Sequence, residues 1–341
     1  MTVANGESAA AWLPWQPGPE PERYFSDGEV HRRLTANPAS YLAHLAEALG
    51  RIGRGAWRSD MPPKWLFEDE AGDFRVMPCV IRERGRPLVK AVKVVGTNRR
   101  RSVVPDQITV GQAFLLHPAD NFISHRFAAC VLSSARTGAC AALAARALAP
   151  QASRLRIIGC GRVGYYVARY CAAALPIDRI TLQDRDGGRA DRLAGWLRQQ
   201  LPGAVVVKSG ARAPAESGEV LVLATDSRTP LITASERPRL TVSLGADAPA
   251  QRELPDDWPL PDRVVVDTRD SRRFGDLAAW DALGRLDGVT LLELSELFTT
   301  AQPAPAASPA LFISTGSALL DALTMHYLAG DPDAPLPNQQ A

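Results

Sequence analysis

The spacing of apolar positions changes character along the chain. From Asn37 to Arg54 it is helical, with Tyr41, Leu42, Leu45, Leu49 and Ile52 on one side, which predicts an amphipathic helix. Short runs rich in β-branched residues follow at Lys64–Phe67, Phe74–Met77, Leu88–Val95 and Ile108–Leu116. Gly, Pro and Asp separate them, which predicts a sheet with hairpin-like connections. Ser133–Leu148 is alanine-rich and reads as a helix that Pro150 ends. Beyond it, strands and helices alternate. Leu155–Ile158, Ile180–Asp184, Ala204–Val207, Val220–Ala224, Leu240–Leu244 and Arg263–Asp267 are short apolar strands, and Arg189–Leu201 is a helix. Continuous apolar runs of this length suit a parallel sheet covered on both faces. Gln302–Pro309 reads as a proline-rich linker, and Leu311–Leu328 as a final helix with Ser314-Thr315-Gly316 near its start.

The alternating half opens on the most informative segment. Strand Leu155–Ile158 runs into Gly159-Cys160-Gly161-Arg162-Val163-Gly164, then a helical stretch, then a strand ending at Asp184. Gly159 permits a tight turn, Gly161 lets the backbone approach a pyrophosphate, and Gly164 lets the helix pack on the strand. The helix N-terminus offers free N–H groups and partial positive charge to phosphates. Asp184 stands 25 positions after Gly159 and can accept both ribose hydroxyls of NAD. Arg185 follows and could hold a 2′-phosphate, so NAD is favoured with NADP left open. The fold class is therefore α/β, a Rossmann dinucleotide-binding domain over 131–308 joined to an α+β domain over 21–130 and 309–341. Residues 1–20, rich in Pro, Ala and Trp, read as a mobile arm.

Composition narrows the partners. A chain of 341 residues with a net charge of +2 points to no nucleic-acid partner. Arg99-Arg100-Arg101 is too short a run to alter that and reads as a solvated loop. No signal peptide or bilayer-length apolar stretch is visible, so a cytoplasmic protein with no membrane partner is expected. The cysteines 79, 130, 140, 160 and 171 form no CxxC pair and no metal-ligand spacing, which predicts buried thiols and no metal. Positive charge is written almost wholly as arginine. Only Lys64, Lys90, Lys93 and Lys208 depart from this, and Lys93 lies within an apolar strand. An amine there can be tuned to titrate near neutrality, which a guanidinium cannot.

Several segments line up in order with a known family. They are Pro63-Lys64, Ala91-Val92-Lys93-Val94-Val95, Ser134-Ala135-Arg136-Thr137-Gly138-Ala139, the glycine turn, Leu244-Gly245-Ala246-Asp247, Arg252-Glu253-Leu254, Ser314-Thr315-Gly316 and Asp321. Over residues 25–330 the chain resembles the ornithine cyclodeaminase/μ-crystallin family. The resemblance implies that Lys93 and Arg136 hold a substrate carboxylate and that Asp247 handles the substrate amine. Lys64 stands where the family usually has a further arginine. It also implies a homodimer paired through the N-terminal sheets. The chain departs from the family at Phe127-Ala128-Ala129, where an acidic residue is common.

The residues themselves suit such chemistry. Oxidising an amino acid at its α-carbon needs a cation for the carboxylate, an acceptor for the amine proton and a nearby hydrogen acceptor. Lys93 and Asp247 are the candidate catalytic residues, and Lys64 and Arg136 the candidate substrate anchors. Gly159, Gly161, Arg162, Val163, Gly164, Asp184, Arg185, Thr137 and Thr225 are the candidate cofactor contacts. His125 reads as a local structural histidine. The expected activity is an NAD-dependent oxidation or reduction at a C–N bond of a small amino acid or imino acid. Pro63-Lys64 and Ser133–Thr137 resemble the branch that makes 2,3-diaminopropionate-type precursors of siderophores or antibiotics. The alternatives are an ornithine or lysine cyclodeaminase, a ketimine reductase, or a μ-crystallin-like binding protein without turnover.

Overall fold

A computed structural model describes residues 20–69, 72–98, 103–209, 216–299 and 309–330. The arm before residue 20, the Arg99–Arg101 run and most of the proline-rich stretch lie outside them.

The first sheet carries seven strands: β1 (Arg23–Phe25), β2 (Trp57–Asp60), β3 (Trp65–Asp69), β4 (Gly72–Glu83), β5 (Arg86–Thr97), β6 (Thr109–Leu116) and β7 (Ile123–Ala128). Their order is β1-β7-β6-β5-β4-β2, with β3 also on β4. All pairs are antiparallel except β1 with β7. Two helices precede β2: α1 (Asp27–Ala36) and α2 (Pro38–Gly53). Asn37 caps α2, its side chain accepting from the Ser40 N–H at 3.0 Å, and Pro38 occupies the first turn, where its missing N–H costs nothing.

Strand β5 shows the alternation that builds the site. Val89, Ala91, Lys93 and Val95 face inward, while Lys90, Val92 and Val94 face outward. Lys93 thus takes a position that the period of two reserves for an apolar residue.

Helix α3 (Ala129–Leu148) is buried on nearly every side and links the two halves. The second sheet then assembles from β8 (Arg154–Ile158), β9 (Arg179–Gln183), β10 (Val205–Lys208), β11 (Glu219–Leu223), β12 (Leu240–Ser243), β13 (Arg263–Val266), β14 (Thr290–Glu293) and β15 (Ala310–Ile313). It is wholly parallel, in the order β10-β9-β8-β11-β12-β15-β13-β14. Helices α4 (Arg162–Ala174) and α5 (Gly187–Gln200) cross between its first strands, α6 (Gly275–Ala282) lies further on, and α7 (Ala318–Ala329) is last.

One expectation fails. Residues 310–313 are not the start of a helix in the substrate-binding part. They form β15, inserted between β12 and β13, and the helix begins only at Ala318. Leu311, Phe312 and Ile313 are apolar in an unbroken run, which suits a strand buried on both faces as well as a helix. The chain therefore returns to the Rossmann sheet before α7 leaves it to pack on β4, β5 and β6.

Candidate active site

The strand order turns back between β8 and β11, which opens a crevice at the carboxyl ends of those strands. Gly159 follows β8, Asp184 follows β9, Thr225 follows β11, Asp247 follows β12, Asp267 follows β13 and Ser314 follows β15. Six strand ends thus deliver polar groups to one rim.

The glycine turn has the form a dinucleotide needs. Gly159 has φ +105°, and a Cβ there would lie 2.2 Å from the Ala224 carbonyl oxygen. A Cβ on Gly164 would lie 2.3 Å from the Gly159 carbonyl oxygen. Around Gly161, by contrast, nothing lies within 4 Å of an added Cβ, so the turn borders open space. Gly161 caps α4 with no side-chain bond, leaving the first-turn N–H groups of Arg162, Val163 and Gly164 for phosphate oxygens. Asp184 stiffens the turn: its oxygens accept from the Cys160 N–H at 2.7 Å and the Asp186 N–H at 2.9 Å. These groups fit a dinucleotide.

Other expected cofactor residues are used differently. The Arg162 guanidinium turns to the Cys130 sulfur at 3.0 Å and the Asp106 carbonyl at 2.6 Å, which leaves its backbone N–H for phosphate. The Arg185 side chain is exposed and faces Asp226 at 3.4 Å. Thr137 donates its hydroxyl to the Ser133 carbonyl one helical turn back. Thr225 lies beside Gly159, and its N–H and hydroxyl both donate to Glu253.

Glu253 ties the crevice together. Buried completely, it accepts from Thr225, the Ser243 hydroxyl and the N–H groups of Leu244 and Gly245. Burial raises its carboxyl to about 6, against the pull of those donors. It holds the ends of β11 and β12 so close that a Cβ on Gly245 would meet the Thr225 carbonyl at 1.9 Å.

The residues expected to meet substrate form a set of charges. Lys93 and Arg136 converge on one carboxylate, Asp321 of α7, at 2.5 and 2.9 Å, all three nearly inaccessible to water. Burial pushes the Lys93 ammonium down to about 8, with Asp321 opposing and Arg136 adding to it. Burial raises the Asp321 carboxyl, but the Arg136 and Lys93 charges outweigh that and hold it below its ordinary value. Arg136 meets Asp321 through Nε, and among the described residues no acceptor meets the two terminal nitrogens of its fork, which lie next to Gly316.

Lys64, an expected substrate anchor, lies nearby. Its Nζ donates to the carbonyls of Thr315 at 3.0 Å and Asp247 at 3.3 Å and lies 3.8 Å over the Phe274 ring. Among the described residues no carboxylate pairs with it. Burial pushes it down to about 8, the Asp247 charge opposing. Behind it, Asp267 gathers the Ser314 and Ser271 hydroxyls and the Gly316 N–H, which fixes the Thr315 carbonyl that Lys64 touches.

Asp247 is a third exposed at its side chain and meets Arg75, Nη1 to Oδ2, at 2.6 Å. Burial raises its carboxyl, and the Arg75 and Lys64 charges outweigh this, leaving it ionised well into acid. Arg75 was not among the expected residues. Only the pairing of β4 with β5 reveals it: register sets Met77 opposite Lys93, so Arg75, two positions earlier, shares the inward face. Asp321 appeared only as a family match, and nothing local announced its pairing with Lys93 and Arg136. His125 is local, its ring 3.0 Å from the Ser124 hydroxyl. The cysteines are buried and free, and no metal cluster occurs among the described residues.

The anchor yields a pH prediction. As a proposed carboxylate anchor Lys64 would act as an ammonium, which should give kcat/KM, a report on the free enzyme, a falling limb as pH rises through about 8. Lys64→Arg keeps its charge and removes that fall. Profiles of the two proteins on one amino acid give the test, and superimposable curves would exclude Lys64 as the anchor.

Similar sequences include an alanine dehydrogenase of Archaeoglobus fulgidus, 28% identical over 254 residues, spanning 72% of this chain and 74% of that one. An L-lysine cyclodeaminase of Streptomyces rapamycinicus is 27% identical over 299 residues, 86% and 85% of the two chains. The fold matches an archaeal alanine dehydrogenase dimer solved with NAD, with TM-score 0.74, 23% identity and coverage of 89% and 94%. It also matches the Thermococcus litoralis Δ1-pyrroline-2-carboxylate reductase solved with NADH and L-proline, with TM-score 0.78, 19% identity and coverage of 89% and 95%. The model of one family covers residues 27–329, and the chain belongs to it: the ornithine cyclodeaminase/mu-crystallin family.

Proposed function

We propose that this protein is an NAD-dependent enzyme that oxidises a small amino acid at its α-carbon, or reduces the matching imine. The carrying observation is the pair of cations lacking a full partner, the Lys64 ammonium and the free fork of Arg136, set beside the ionised Asp247. That is a receptor for a carboxylate next to an amine. When bound, NAD supplies the acceptor for the α-hydrogen and its electron pair. Asp184 favours it over NADP, because a carboxylate repels a 2′-phosphate and Arg185 is turned to Asp226.

The chain's own residues divide the remaining work. Lys64 and Arg136 grip the carboxylate. Asp247 accepts a hydrogen bond from the substrate nitrogen and orients it. Lys93, poised near 8, takes the amine proton as the C–N double bond forms. Water then adds to the imine and ammonia leaves, or an internal amine attacks instead. The curated relatives, an alanine dehydrogenase and a lysine cyclodeaminase, represent these two outcomes. Pro63-Lys64 and Ser133–Thr137 are the residues that favour a role in making 2,3-diaminopropionate-type precursors.

The test is to mix the protein with NAD and a panel of amino acids and N-carboxyalkyl amino acids. Accumulating NADH supports a dehydrogenase. Ammonia release without net NADH supports a cyclodeaminase. Tight binding of ligand without either supports the binding-protein reading and overturns the proposal.

The working unit in this reading is a homodimer. Trp65, Phe67, Phe74 and Val94 are exposed on the outward side of β3–β5, with Phe67 and Phe74 stacked at 4.6 Å. Such a patch is costly to leave in water. Phe74→Glu should shift the mass in sedimentation from dimer to monomer, and an unchanged dimer would place the interface elsewhere. No helix among the described residues is long and apolar enough to cross a membrane, and a cytoplasmic location is part of this reading.

A further inference from the structure

Arg75 is held from two sides. Its Nε lies 2.6 Å from Asp73 Oδ2, and Asp73 also accepts from the Thr97 hydroxyl. Its Nη1 lies 2.6 Å from Asp247 Oδ2, while Nη2 stands 3.5 Å from Oδ1. The side chain is 14% exposed, and a guanidinium does not lose its proton in a protein. A permanent charge is thus fixed against the carboxylate assigned to the substrate nitrogen. Arg75 saturates one oxygen of Asp247 and leaves Oδ1 for one substrate N–H group.

Among the described residues the carboxylates around these charges are already engaged. Lys64, Arg75, Lys93 and Arg136 are near enough to act on one another. Asp321 is taken by two of them, Asp73 lies behind Arg75, and Asp267 is filled by hydroxyl and N–H donors. An α-ammonium can use Asp247. A second ammonium on the same molecule would meet these cations, and the carboxylates that act on them, Asp73, Asp247, Asp267 and Asp321, are already engaged.

We propose that Arg75 determines specificity: its fixed charge admits substrates whose side chain is uncharged or anionic and turns away those carrying a second ammonium, such as ornithine or lysine. The inference rests on the amino-acid reading above and decides between its two outcomes in favour of simple oxidation. Two bare unit charges about 4 Å apart at partly exposed sites would weaken binding roughly 1000-fold; the pairing of Arg75 with Asp73 and Asp247 offsets part of this, and about 100-fold is expected to remain.

Norleucine and ornithine test this, because they have the same shape and differ in the terminal methyl or ammonium. Binding of each to the full chain with NAD is measured by calorimetry, alongside alanine and aspartate, for the parent, Arg75→Gln and Arg75→Lys. The parent should prefer norleucine over ornithine about 100-fold. Arg75→Gln should reduce that preference at least tenfold, and Arg75→Lys should restore most of it. Equal binding of norleucine and ornithine by the parent overturns the inference, whatever the variants do, and so does an unchanged preference in Arg75→Gln. A parent that binds none of the four amino acids overturns the amino-acid reading itself, which separates the two failures.

Discussion

Asp247→Asn should lower kcat for the amino acid by about 10²–10⁴-fold, the usual range for removing a group that exchanges or directs a proton. The change keeps size and shape. It removes the negative charge that Arg75 meets at 2.6 Å, and it puts an N–H donor where an acceptor is required. The backbone carbonyl that receives Lys64 stays, so the carboxylate anchor should survive. Dinucleotide affinity should also hold within about twofold, because the glycine turn and Asp184 are built from other strand ends. Rapid-mixing measurement of NADH formation, with NADH binding followed by fluorescence, reads both quantities. An Asn variant as fast as the parent would remove Asp247 from the reaction.

Asp321→Asn should be the most destabilising conservative change at the site. The carboxylate is 1% exposed and serves Lys93 and Arg136 together. Without it two buried cations lose their counter-charge, and removal of one member of a buried ionic group costs about 3–5 kcal/mol. The pH dependence follows from the lowered carboxyl. Ionised Asp321 stabilises the fold fully above its unfolded value of about 3.9. That stability drains away as pH falls through the lower folded value. The urea midpoint of parent and variant at neutral pH measures the loss. Pairing Asp321→Asn with Lys93→Met, which removes one stranded cation, should recover part of it. A variant as stable as the parent would show that the triad does not hold α7 on β5.

Reading the chain by period and turn chemistry found most of the fold. The glycine turn, the parallel strands and the helix Pro38–Gly53 lie where local pattern placed them. Ala310–Ile313 did not, because a four-residue apolar run has no period of its own. Its partners are β12 and β13, and only pairing tells a strand from the first turn of a helix.

The site divides in the same way. Lys93 stood out as a charge within an apolar strand, where the cost of burying it makes it visible in one dimension, while Arg136 and Asp247 were picked out through the family resemblance. Lys64 stood out as a rare lysine. Their partners were not visible. Arg75 meets Asp247 across 172 positions, and Asp321 meets Arg136 across 185. Local pattern was enough for the cofactor turn and for the inward setting of Lys93, since glycine geometry and alternation act over a few residues. The tertiary structure alone decided which charge neutralises which. Lys93 joined Arg136 on Asp321, while Lys64 and the fork of Arg136 found no carboxylate of their own among the described residues. Coulomb's law acts through space, and only the folded sheets and α7 set those distances.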